Sequence, residues 1–203
     1  EKNRFLGAGM LPADLPPFAN GYQRGKYLWL YDQPDGYYRR HLLLHEGTHA
    51  FMSQFLGAMG PPWYAEGMAE LLGTHRWQDG VLTLGYVPQD KSETPGWGRV
   101  KIIKDEIAAG RGMMPAAILD YGPQAHQQNE PYGWCWGLAT FLDSHPRYQD
   151  RFRQLRHTVG DPDLTVRFKQ QLQADWPDLN EDWQLFVMNL EYGYDVARAQ
   201  LNL

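Results

Sequence analysis

The 203-residue chain is 43% hydrophobic and 21% charged, a balance that supports a packed core and excludes a disordered chain. Its formal net charge is −5, with acidic and basic residues interspersed, so there is no basic stripe for nucleic acid. No apolar run approaches the ~18 residues of a membrane span, and the single cysteine, Cys135, excludes an internal disulfide.

Residues 1–25, rich in Gly, Pro and Asn, read as irregular. The aromatic and apolar run from Lys26 to Tyr31, followed by the turn signal Gln33-Pro34-Asp35-Gly36, predicts a strand. A helix is predicted from about Tyr37 to Leu56, carrying Leu42, Leu43, His45, His49, Met52 and Phe55. Gly57 to Gly60 ends it, and Pro61-Pro62 blocks continuation. Pro62 suits the first turn of a second helix, about Trp63 to His75. Asp79-Gly80, between Arg76-Trp77-Gln78 and Val81 to Leu84, predicts a hairpin turn. Residues 88–99 are polar with Pro and Gly and read as a surface loop. Further helices are predicted over Val100–Ala109, Pro115–Asp120, Pro131–Ser144, Arg147–Val159, Leu164–Gln173 and Glu181–Tyr192, with a polar loop over Gly122–Glu130. The expectation is a mostly helical α+β fold in a single domain over 1–203, with a strand and motif-helix lobe over about 1–100 and a helical lobe over about 101–203.

His45-Glu46-Gly47-Thr48-His49 is an HExxH motif. On a helix, His45 and His49 lie one turn apart on one face, so both imidazoles can reach one ion. Glu46 lies beside them, positioned to take a proton from water and pass it to a leaving amine. Two nitrogens leave a zinc ion short of its usual three protein ligands. Sixteen residues separate His49 from Glu66, with a break and a helix start between them, enough chain to fold a second helix back. Glu66 and, one turn on, Glu70 are the candidates for third ligand. The other carboxylate would accept from the far nitrogen of a ligand imidazole.

His45-Glu46-x-x-His49 followed by Pro62-Trp63-Tyr64-Ala65-Glu66-Gly67-Met68-Ala69-Glu70 resembles the gluzincin metallopeptidases, in particular the bacterial peptidase MA-like group. The resemblance covers about residues 40–145. It implies a gluzincin/thermolysin-like catalytic fold and one zinc ion, with Glu66 as third ligand and Glu70 behind it. Tyr132-Gly133-Trp134-Cys135-Trp136-Gly137-Leu138-Ala139-Thr140-Phe141-Leu142 resembles a helix that follows in these proteins. By that resemblance Tyr132 stabilises the tetrahedral intermediate, and the activity is hydrolysis of peptide bonds in a peptide or protein substrate.

Other readings stand beside this one. The same scaffold can be a catalytically inactive binding or assembly module. With eight Trp and twelve Tyr, the chain can also offer a cleft for glycan-bearing peptides, although core packing is the simpler use of these rings. His41, one turn before His45, reads as a surface or supporting histidine, and His126, shortly before Tyr132, as an alternative oxyanion donor. The chain opens on Glu1, which reads as a processed or trimmed product, and an extracytoplasmic location (periplasmic or secreted) is the expectation.

Overall fold

The computed structural model describes residues 2–125 and 128–195. A short helix, α1 (Lys2–Gly7), precedes the strands β1 (Gly21–Arg24) and β2 (Tyr27–Leu30). They pair antiparallel, Gly21 opposite Leu30 and Arg24 opposite Tyr27. The expectation of irregular chain over 1–25 is corrected here. A four-residue strand is too short to show the alternation that marks strands in a sequence, and its partner defines it.

Asp35 starts helix α2 (Gly36–Phe51): its carboxylate accepts from the backbone N–H of Tyr37 at 2.6 Å and of Tyr38 at 3.3 Å, satisfying two of the amides that a helix start leaves without partners. The helix runs on through a π-helical turn, Met52–Leu56, and stops at Gly57. Pro62 then occupies the first turn of α3 (Pro62–Gly73), where its missing N–H costs nothing. The second hairpin, β3 (His75–Gln78) with β4 (Val81–Leu84), turns at Asp79 and Gly80 with φ of 52° and 78°. Two positive φ angles in succession are what a type I′ turn requires.

The remaining helices are α4 (Arg99–Ala108), α5 (Pro115–Leu119), α6 (Glu130–Ser144), α7 (Gln149–Gln154), α8 (Leu164–Gln171) and α9 (Trp176–Asn189). The described residues thus form a mostly helical α+β fold with two small hairpins in the N-terminal half and a helical C-terminal half. Several boundaries differ from those expected, among them the end of α3, which stops at Gly73 and leaves His75 to open β3. Helix α9 begins at Trp176 because Pro177 sits inside its first turn. Helix α7 is shorter, tightening into a 3₁₀ turn at Leu155–His157. No helix among the described residues is long and apolar enough to cross a membrane.

Helix α6 is the axis of the core, burying Trp134, Trp136, Leu138, Phe141 and Leu142. Trp183 of α9 is fully buried against Trp134, Phe141 and Phe186, and its Nε1–H donates to the carbonyl of Met113 at 2.8 Å. Each such large side chain contributes about 1.5–3 kcal/mol by leaving water. The expected surface loop over 88–99 is also corrected: Trp97 is 1% exposed and meets Trp136 edge-on at 4.7 Å. Helix α3 packs between α2 and α6. Gly67 permits that approach, since a Cβ there would stand 3.1 Å from both Ala139 Cβ and the Cys135 carbonyl oxygen.

Candidate metal centre

His45 and His49 are buried on the inner face of α2, with their Nε2 atoms 3.2 Å apart. Helix α3 brings Glu66 to the same place: its Oε2 is 3.4 Å from His45 Nε2 and its Oε1 3.6 Å from His49 Nε2. Two imidazole nitrogens this close repel lone pair to lone pair unless a proton or a cation lies between them. Donors about 2.0–2.1 Å from one tetrahedral ion lie about 3.3 Å from each other, close to all three separations. His49 Nδ1 and Glu66 Oε2 are buried without a hydrogen-bond partner among the described residues. The donor set of two imidazoles and one carboxylate therefore fits a single divalent ion, and this His/His/Glu group can hold a metal.

The far side of His45 faces Glu70, whose Oε1 is 3.2 Å from His45 Nδ1. That contact sets a carboxylate oxygen at ion-pair distance from the ring nitrogen that faces away from the Glu66 side. His41, His45 and Glu70 form a second group with metal-ligand proximity, with His41 Nε2 3.6 Å from Glu70 Oε1, but here an arginine already supplies the positive charge to the carboxylate. Arg99 gives Glu70 two hydrogen bonds, Nε to Oε2 at 2.8 Å and Nη2 to Oε1 at 2.9 Å. His41 Nδ1 lies 3.0 Å from the Gly73 carbonyl oxygen, which also meets His75 Nδ1 at 2.9 Å. Two imidazoles thereby satisfy a carbonyl left over at the end of α3.

Electrostatics follow from this packing. Burial opposes the charge of Glu66, yet contacts with His45 and His49 hold its carboxyl far below the usual range. Burial opposes the charge of Glu70 too, and Arg99 first and His41 next keep it well below that range. For His45, burial pulls down, but Glu66 and Glu70 together push its pKa up to about 10. Where no metal is bound, a proton thus stands in for the cation.

Glu46 sits on α2 beside these groups, 9% exposed. Desolvation raises its pKa, partly offset by His45 and His49. Strand β1 covers it: a Cβ on Gly21 would lie 2.6 Å from Glu46 Oε1 and 2.8 Å from its Cγ, so only glycine fits there without displacing the carboxylate. Tyr132, in the first turn of α6, has its ring 6.0 Å from that of His45 and 5.7 Å from the Arg99 guanidinium carbon. Burial, then the charges of Glu66, Glu70 and Glu46, raise the pKa of its hydroxyl, which therefore stays protonated. Cys135, one turn along α6, is buried and free of disulfide.

The structure thus gathers Glu46, His45, His49, Glu66, Glu70 and Tyr132 at the junction of α2, α3 and α6. His126, the alternative oxyanion donor, lies outside the described residues. His145 is elsewhere, buried beside Asp182 with Nε2 to Oδ2 at 3.3 Å. Trp63 is a packing anchor, 1% exposed, with Nε1–H donating to Thr165 at 2.8 Å. Sequence reasoning missed Arg99 and Gly21 altogether and left His41 between a surface and a supporting place; it is 1% exposed and lies beside Glu70. For His41 a signal existed, since it shares the buried face of His45 and His49. For Arg99 and Gly21 the sequence carries none. Compared with protein-family models, curated proteins and solved structures, the chain matches none.

Proposed function

We propose that the chain is a zinc-dependent peptidase of the gluzincin type, a single catalytic domain in which His45, His49 and Glu66 hold one zinc ion. The observation that carries this reading is the cluster of the two imidazole Nε2 atoms and the two Glu66 carboxylate oxygens, with contacts of 3.2, 3.4 and 3.6 Å, near the donor spacing expected around one tetrahedral ion. Two imidazoles and a carboxylate suit zinc and leave a position for a further ligand. A zinc ion held there would polarise a peptide carbonyl and make water acidic near neutral pH.

The chain's own residues do the rest. Glu46 accepts the proton of the attacking water and delivers it to the leaving amine. Desolvation raises its pKa, the direction that favours taking up a proton. Tyr132 keeps its proton over the working range and donates it as a hydrogen bond to the oxyanion that develops on the substrate. Glu70 faces His45 Nδ1 at 3.2 Å, holding that ring with Nε2 turned toward Glu66.

Metal analysis and a peptide-library digestion test the proposal together. The purified chain should bind one equivalent of zinc and cleave peptides, lose cleavage to a chelator and regain it with zinc. One bound zinc with no cleavage across a broad library would make it a binding module instead. No zinc affinity in a folded chain would sink the reading.

A further inference from the structure

Arg99 is the first residue of α4, with its side chain 12% exposed. Its guanidinium meets Glu70 through two nitrogens at 2.8 and 2.9 Å, a paired geometry that fixes the plane of the carboxylate as well as its charge. Its third nitrogen, Nη1, donates to the Trp97 carbonyl at 2.8 Å. Trp97 is itself locked edge-on against Trp136 of α6, so the direction of the guanidinium is set by the core. Helix α4 also packs closely on α6 at Gly133, where an added Cβ would come within 2.8 Å of Ile102 Cγ2. The chain of contacts therefore runs without slack from the core through Arg99 to Glu70, and from Glu70 Oε1 to His45 Nδ1 at 3.2 Å.

We propose that Arg99 is a positioning residue of the metal centre, acting through Glu70 to set the orientation of His45. The inference rests on the zinc reading above and deepens it. Simple neutralisation of a buried carboxylate would need only a positive charge. Here the fork also fixes the plane of the carboxylate that faces His45, something an ammonium group cannot do. A group that donates from a fixed direction keeps Glu70 ionised and aimed, and an aimed carboxylate makes the imidazole behind it a stronger ligand.

The test is a set of zinc dissociation constants, measured by competition with a chromophoric chelator and with folding checked by near-ultraviolet circular dichroism. The proteins are the full chain, Arg99→Lys, Arg99→Met, Glu70→Gln and the double variant Arg99→Met/Glu70→Gln. Each single variant should weaken zinc binding by about 10–100-fold, and Arg99→Met should add no further loss once Glu70 has been replaced. The double variant removes both charges, so it remains informative where Arg99→Met alone leaves a buried carboxylate unpaired and unfolds. Arg99→Lys keeps the charge and isolates the fork. Wild-type zinc affinity in Arg99→Lys overturns the proposal, as does a loss from Arg99→Met that is equal with and without Glu70. If the wild-type chain itself has no zinc affinity, the peptidase reading falls along with this one. Tight wild-type binding with indifferent Arg99 variants removes this inference alone.

Discussion

Around α3 the interior holds His41, His45, His49, Glu46 and Glu70, whereas behind α6 it holds Trp134, Phe141, Trp183 and Phe186. Both regions are buried, but they enter the stability of the molecule with opposite sign. Each ion taken out of water costs several kcal/mol and recovers it only through well-placed partners. Each large apolar side chain behind α6 contributes a few kcal/mol without needing a partner of opposite charge. Helix α6 serves both regions, turning Tyr132 toward the histidines and Trp134 toward Trp183. The apolar half therefore supplies the free energy that lets the polar half exist, and the two should respond to mutation through different observables.

The sharpest division should come from Trp183→Ala. It removes a fully buried ring and strands the Met113 carbonyl, so denaturant unfolding should show a loss of about 3–5 kcal/mol, with zinc affinity of the folded fraction unchanged. A coupled loss of zinc affinity would mean the two regions are not separable. Glu46→Gln should do the reverse, lowering peptide hydrolysis by at least ~100-fold while zinc stays bound and stability holds. Tyr132→Phe should cost about 3 kcal/mol of transition-state stabilisation, read as kcat at saturating zinc. Full activity in either variant would remove that residue from the chemistry.

The pH dependence separates the metal-free site from the rest. In the metal-free chain the His45 pKa is raised from 6.5 to about 10, so its proton stabilises the fold fully below about pH 6.5. That contribution is lost as pH rises through about 10. Thermal unfolding of chelator-treated protein should thus show a Tm that falls between pH 7 and 10. Zinc-loaded protein, whose imidazole is already deprotonated, should lack that fall. Parallel curves would show that the His45 proton does not hold the cluster together. Gly21→Ala is a smaller change. Its methyl must displace the Glu46 side chain, costing about 1–3 kcal/mol of overpacking and reducing kcat before zinc affinity. Equal kcat would mean that β1 does not constrain the base. Smallest of all, Asp35→Ala removes the two capping hydrogen bonds of α2, worth about 1 kcal/mol. It should shift the unfolding midpoint and leave kcat alone.

How much of this was legible in the sequence depends on how local each signal is. The spacing of His45 and His49, the break at Pro61-Pro62 and the Asp79-Gly80 turn are encoded within a few residues, and the structure has α2, α3 and the second hairpin where those signals place them. The pairing of Glu70 with Arg99 spans 29 positions, and Arg99 follows a stretch whose polar composition reads as loop. Nothing local distinguishes an arginine that turns inward from one that faces water. That choice is made by Trp97 seating in the core. Gly21 is invisible for a similar reason. A glycine in a Gly- and Pro-rich segment looks like punctuation, and only the packing of β1 over α2 turns it into the cover of a carboxylate.

The buried cysteine carries a consequence of a different kind. Cys135 lies where α6 meets α3, against Gly67. Burial first, and the charges of Glu66 and Glu70 next, raise its thiol pKa well above the ordinary value. In the native state it should therefore be chemically silent, offering no thiolate to soft metal ions or to electrophilic reagents. It is also the one thiol in the chain, so a slow labelling reaction has a single origin. The rate at which a maleimide consumes it would report how often α3 and α6 part, a native clock for breathing at the wall of the histidine cluster.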